Sequence, residues 1–191
     1  MVAIITVQNT ALHAIESHIE NSKLPSFTED YIHRWNFDNY ASDLALDTRI
    51  QNWHKLPTKP VTVYNYGGFG LEINARGKVR GSRKVRSQLS AFNYITVAHQ
   101  FIMIQSVITG RFIGINEQNR VVSLKTPSAN TFWFEHVKTE SHRNFHTLTN
   151  RQINHNGNLC NLAMTRKGRV VCRSSIRKKS TSFLPVRRRM T

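Results

Sequence analysis

An all-β fold with internal threefold symmetry is what this sequence predicts, on three observations. The first is a repeat: the pattern of Leu71–Val79 returns in Ile113–Val121 and again in Leu162–Val170. Each copy places two apolar residues at i and i+2, then polar residues ending in Gly or Asn, then a basic residue and Val, which is the pattern of a hairpin. The second is the spacing, 42 residues from Ile73 to Ile115 and 49 from Ile115 to Met164, a period typical of modular repeats. The third is an apolar closing strand after each hairpin: Tyr94-Ile95-Thr96-Val97, then Phe132-Trp133-Phe134, then Phe183-Leu184. Three copies of about four strands make about twelve, and a barrel capped by a triangle of hairpins removes the open edges that one unit would leave. That architecture is a β-trefoil.

Residues 1–60 read as an extension outside the repeat. Leu12, Ile15 and Ile19 follow helical spacing. Ser26 and Glu29 form a capping box ahead of Tyr31, Ile32, Trp35, Tyr40 and Leu44, which predicts a second helix. Its aromatics either pack onto the domain or, if exposed, form a partner surface. Pro57 and Pro60 close the segment, placing the domain boundary near Lys59 and the trefoil at 61–186, with a basic tail at 187–191. Strands are expected at Val61–Tyr64, Tyr94–Val97 and Phe101–Ile104, with a turn at Gly67-Gly68.

At 191 residues and 39% hydrophobic the chain can bury a real core, and its composition fits neither wholesale disorder nor a membrane-spanning protein. The net charge of +16 is the anomaly, and it is unevenly spread. Residues 1–60 hold seven acids against five Lys and Arg, 61–140 hold four against ten, and 141–191 hold none against twelve. A basic end of this kind either keeps a protein soluble or attracts a polyanion: a sulfated glycan, a nucleic acid or an anionic membrane surface. The apolar start Met1–Val7 has no basic n-region and is interrupted by Gln8-Asn9-Thr10. It makes a poor signal peptide, which leaves a leader outside this sequence, unconventional export, or residence inside the cell. No apolar run reaches the roughly 20 residues of a spanning helix.

Cys160 and Cys172 are too few for a disulfide scaffold and lack zinc-ligand spacing. If the third hairpin turns near Arg166 and Lys167, positions whose numbers add to about 332–333 face each other, a condition this pair meets. A cross-strand disulfide is geometrically open, and so are two buried thiols.

Nine histidines form no metal motif. His13 with His18 and His142 with His146 are the nearest pairs, and no His-Glu-x-x-His occurs. Glu72, Glu117, Glu135 and Glu140 are scattered, and Gly67-Gly68-Phe69-Gly70 is followed by no helix and so is no phosphate loop. A non-enzyme without metal or cofactor is expected. The basic cluster is more specific. Arg166, Lys167 and Arg169 lie in the third turn, and Arg173, Arg177, Lys178 and Lys179 follow within one loop. Arg forks match sulfate oxygens bidentately and Lys adds a mobile charge. The aromatics a single-stranded nucleic acid would stack on are missing between Arg166 and Ser182, which favours a sulfated glycan. Arg187-Arg188-Arg189 reads as a targeting scrap, a processing site or solvated charge.

The segment Tyr64–Gly81 resembles the first hairpin of the fibroblast growth factors, and Gly110–Ile115, Phe132–Glu135 and Phe183–Pro185 match further motifs in the family's order. Thr165–Arg169 resembles most the secreted, embryonic-patterning subgroup. The resemblance implies a secreted β-trefoil that binds heparan sulfate proteoglycan as co-receptor and activates a receptor tyrosine kinase with immunoglobulin-like ectodomains, controlling growth, differentiation or migration. It implies neither a main nucleic-acid partner nor membrane insertion. The heparan sulfate site maps to Arg166, Lys167, Arg169, Arg173, Arg177, Lys178 and Lys179. The receptor face maps to Val63 or Tyr64, Arg83, Glu135, Phe145, Leu184 and Val186, aromatic and aliphatic anchors with a charged rim. Three departures stand out. The glycan loop is shortened to Ser174–Lys179, Tyr66 stands where the family often has Asn, and the usual Asn-Asn-Tyr receptor motif reads Arg143-Asn144-Phe145. The rivals are a non-secreted member of the family and a polyanion-binding trefoil lectin.

Overall fold

The computed structural model describes residues 48–84, 87–98, 100–140, 143–153, 159–175 and 179–188. The helices expected around Leu12–Ile19 and after Ser26 lie outside the described residues. Twelve strands follow in order: β1 (Thr58–Asn65), β2 (Gly70–Ile73), β3 (Val79–Ser82), β4 (Ala91–Ala98), β5 (Phe101–Ser106), β6 (Phe112–Ile115), β7 (Val121–Leu124), β8 (Trp133–Glu140), β9 (Arg143–Ile153), β10 (Leu159–Met164), β11 (Val170–Arg173) and β12 (Phe183–Arg187). Six of them close a ring, β1 to β4, β4 to β5, β5 to β8, β8 to β9, β9 to β12 and β12 to β1, all antiparallel. The other six form the hairpins β2–β3, β6–β7 and β10–β11. A short 3₁₀ turn precedes the closing strand of each copy, at Gln88–Ser90, Ala129–Thr131 and Lys179–Thr181. The chain is a β-trefoil.

The repeat seen in the sequence is a repeat of hydrogen bonds. In the first hairpin turn Asn74 N donates to Lys78 O at 3.1 Å and Gly77 N to Asn74 O at 2.8 Å, while Lys78 N donates to Asn74 Oδ1 at 2.9 Å. The second turn repeats these bonds with Asn116, Asn119 and Arg120, and the third with Thr165, Gly168 and Arg169. The fourth loop residue lies in the left-handed region each time, at φ 78° for Gly77, 54° for Asn119 and 74° for Gly168, where Gly and Asn are the residues that fit. The apolar pairs Leu71 and Ile73, Ile113 and Ile115, and Leu162 and Met164 point into one buried core with Val61, Val63, Phe92, Trp133, Leu148 and Phe183. Trp133 satisfies its buried indole by donating Nε1–H to Ile113 O at 2.9 Å.

Each turn also docks on the next hairpin. Ser123 Oγ donates to Gly77 O at 2.5 Å, Cys172 Sγ lies 3.7 Å from Asn119 Oδ1, and Gly81 N donates to Gly168 O at 2.7 Å. Ser123, Cys172 and Gly81 occupy equivalent positions, two residues after Val121, Val170 and Val79. The triangle is therefore a cycle of three contacts.

One expectation changes in detail. The third turn is a five-residue loop closed between Thr165 and Arg169, so its centre lies at Lys167 and Cys172 faces Leu162 rather than Cys160. Cys160 stands two residues along on the same face, and the two sulfurs bond as a diagonal pair with Cα atoms 4.9 Å apart. At the N-terminal side the ladder reaches back past 61, because Thr58, Lys59 and Pro60 pair with Ile95, Tyr94 and Asn93. Trp53 packs edge-on against Phe112 with ring centroids 5.1 Å apart, and Arg49 bonds the Val97 carbonyl, so residues 49–60 brace the trefoil.

Replacing Gly168 with Ala would strain a left-handed turn and bring a Cβ to 3.0 Å from the Gly81 carbonyl oxygen. Gly110, at φ 66°, has open space around it. Gly110→Ala is therefore expected to cost about 1 kcal/mol, the conformational part alone, and Gly168→Ala at least about 2 kcal/mol. Urea unfolding of both variants checks this, and equal losses would mean that the turn contact contributes nothing.

Candidate functional site

Three regions gather the residues expected to carry function. The first is the turn of β10–β11, where Arg166, Lys167 and Arg169 are exposed, with Arg173 exposed at the end of β11. Lys179 is exposed at the start of the 3₁₀ turn before β12. Arg177 and Lys178 lie outside the described residues. Arg83, expected at the receptor face, places its guanidinium 4.7 Å over the Phe69 ring. A Cβ on Gly168 would reach within 3.1 Å of that same ring, so Phe69 brings Arg83 to the third turn rather than to the cleft described next.

The second region is a cleft of about 470 Å³ lined by Tyr64, Asn65, Tyr66, Gly68, Arg143, Phe145 and Leu184. Strand register builds it. Tyr64 faces Leu184 across β1–β12, and Phe183 faces His146 across β12–β9, which sets Leu184 beside Phe145. Val63, by contrast, is fully buried in the core, because alternate residues of β1 point inward. Of the two candidates Tyr64 is the one at the surface. Val186 is 43% exposed, opposite Thr62 on β1, two residues beyond Leu184 on the same face.

Asn65, which the sequence did not single out, ties the cleft to the basic segment. Its buried amide donates Nδ2–H to Ser180 O at 3.0 Å and Ser182 O at 3.1 Å, and its Oδ1 accepts from Gly67 N at 3.0 Å. Tyr66 N adds a bond to Ser182 O at 2.9 Å. The strapped loop brings the Tyr66 ring to 4.8 Å from Lys179 Nζ and to 5.4 Å from the Phe145 ring. An asparagine two residues ahead of a Gly-Gly turn is the signal that could have found it, since Asn side chains commonly bond the backbone of their own turn two residues on.

The third region is Glu135, whose Oε1 lies 2.6 Å from His146 Nδ1. Both side chains are largely buried. The Tyr94 hydroxyl finds no partner among the described residues, and burial first, with the Glu135 charge second, pushes its phenol well above the ordinary tyrosine value. Glu135 thus belongs to an internal cluster and not to the cleft lining. Among the described residues no three His, Cys, Asp or Glu side chains gather as a metal site.

A family model described as fibroblast growth factor matches residues 59–184. The chain belongs to the fibroblast growth factor family. It is 27% identical to fibroblast growth factor 2 of Xenopus laevis over 79 residues, 41% of this chain and 51% of that protein. It is 27% identical to fibroblast growth factor 7 of Rattus norvegicus over 118 residues, 61% of this chain and 59% of that protein. The chain thus spans between half and three fifths of these relatives. The family match runs from Lys59 in β1 to Leu184 in β12, so both the third turn and the cleft fall on the fibroblast growth factor part of the chain.

Because the unfolded Tyr94 phenol ionises near pH 10 and the folded one above it, its contribution to stability is complete below about pH 10 and is lost as pH rises toward the folded value. Tyr94→Phe has no proton to lose. Its stability is expected to lie within about 1 kcal/mol of the wild type near pH 8 and to gain on it steadily above about pH 10. Urea unfolding across that range checks the sign, and parallel curves would refute it.

Proposed function

We propose that this chain is a secreted growth factor that binds heparan sulfate and activates a fibroblast growth factor receptor tyrosine kinase. The observation that carries this is the adjacency of an exposed basic turn and an aromatic cleft on the family's trefoil, joined where Lys179 meets Tyr66. Arg166, Lys167, Arg169, Arg173 and Lys179, with Arg177 and Lys178, take the sulfated chain, and Arg83 extends that face. Tyr64, Phe145, Leu184 and Val186 meet the receptor, Tyr64 and Leu184 from facing positions on paired strands.

The mechanism is attachment at two points. Sulfate and carboxylate groups of the glycan neutralise the basic face and hold the protein at the cell surface, raising its effective concentration for the receptor. The cleft then supplies apolar area for receptor contact, and catalysis belongs to the kinase. Growth, differentiation or migration of the target cell is the expected outcome. Among the described residues no helix is long and apolar enough to cross a membrane.

The deciding experiment mixes the purified chain with a fibroblast growth factor receptor ectodomain, with and without heparin, and reads receptor dimerisation. Heparin-dependent dimerisation is expected. Heparin binding without receptor binding would reduce the function to that of a glycan-binding trefoil. Two variants separate the faces. Lys167→Glu with Arg169→Glu is expected to elute from heparin at lower salt with a flatter salt dependence. Leu184→Ala is expected to lower receptor affinity by roughly tenfold while heparin elution is unchanged.

A further inference from the structure

We propose that Tyr66 is a positioning residue for Lys179, fixing one ammonium of the basic face so that a sulfate group meets a cation already in place. Among the described residues Tyr66 is the one Phe, Tyr or Trp side chain left exposed, at 42%. An exposed aromatic in a solvated loop would swing freely, but this one is held twice. Its backbone amide is tied to Ser182 O at 2.9 Å, and its ring leans on Phe145 at 5.4 Å with the planes 44° apart. The Lys179 ammonium lies 4.8 Å from the ring centroid, inside the roughly 6 Å reach of a cation–π contact. Tyr66 and Lys179 are joined by bonds between their own segments, from Asn65 Nδ2 to Ser180 O and Ser182 O, so the pair is built into the loop.

The consequence for binding is entropic. A lysine free in water gives up rotamer freedom when an anion captures it, whereas one already held gives up less. A ring contact uses one side of the ammonium and leaves N–H donors on the other for sulfate oxygens. Tyr66 therefore acts through Lys179 and adds no charge of its own, which gives it a signature distinct from that of any cation on the face.

The test, which rests on the glycan reading above, is a double-mutant cycle on the whole chain read as affinity for a heparin-derived oligosaccharide. The variants are Tyr66→Phe, Tyr66→Leu, Lys179→Ala and the pair Tyr66→Leu with Lys179→Ala, each with its unfolding midpoint recorded. Leu keeps an apolar neighbour for Phe145 and Phe keeps the ring face. Tyr66→Leu is expected to weaken binding about two- to fivefold with an unchanged salt slope, and Tyr66→Phe to bind like the wild type. Lys179→Ala is expected to weaken binding and flatten the slope, and in that background Tyr66→Leu is expected to be silent. Wild-type affinity for Tyr66→Leu, or losses that add in the double variant, would overturn the positioning role. If Lys167→Glu with Arg169→Glu also bound like the wild type, the glycan reading itself would have failed. If that variant lost affinity while the cycle showed no coupling, the positioning role alone would have failed.

Discussion

The constraint on which the rest of this structure depends is the cyclic docking of three hairpin turns. Each hairpin alone is a two-stranded ribbon, marginal in water, and each offers its left-handed turn residue to the second strand of the next. The receiving positions hold Ser123, Cys172 and Gly81. All three are small, because a backbone or a short amide must approach closely, and at Gly81 a Cβ would stand 2.4 Å from the Met164 sulfur. Closing the triangle covers one end of the barrel and turns the apolar pairs of the three hairpins inward to a single core. The disulfide falls on this cycle. Cys172 is the receiving residue of the third hairpin, so its bond to Cys160 clamps the hairpin that carries Arg166, Lys167 and Arg169.

The fold was legible because the docking cycle repeats a local chemistry, and local chemistry is written in consecutive residues. Asn74, Asn116 and Thr165 each cap their own turn from a side-chain oxygen, and the following Gly77, Asn119 and Gly168 are the residue types that accept positive φ. Register was less legible. The third turn closes over five residues instead of around Arg166 and Lys167, which moves the residue facing Cys172 from Cys160 to Leu162. The start of the first strand was hidden for a similar reason. Pro60 reads as a terminator, yet its carbonyl still accepts the Arg188 amide at 3.0 Å, so β1 runs through it from Thr58.

The candidate site divides along the same line. A run of cations announces itself in the sequence, and every described member of it is at the surface. Which of Val63 and Tyr64 faces outward depends on the phase of β1, and pairing with β12 sets that phase. Glu135 looks like a surface acid in its sequence context. Its partner is His146, eleven residues away on the neighbouring strand and diagonal to it, since Glu135 itself faces Leu148. Contacts of this kind depend on register across a loop and leave no local mark, whereas Asn65 ahead of Gly67 and Gly68 does leave one.

Charge is the quantity that connects the fold to its use. Of the four acids between 61 and 140, Glu72 is buried and bonded by Arg80 Nε at 2.6 Å and by Ser87 Oγ at 3.2 Å, and Glu135 is taken by His146. No acid follows Glu140. The third hairpin and the segment before β12 therefore hold no acid within their own stretch of sequence, and like charges held together on a folded surface repel one another. Folding confines these cations where an unfolded chain would let them separate. The docking cycle and the core must offset that repulsion, and an external polyanion relieves it. The geometry gives the relief a direction, because Lys179, at the edge of the basic segment, rests on a ring that is also a wall of the cleft. An anion drawn to the cations arrives beside the surface where an apolar partner would dock.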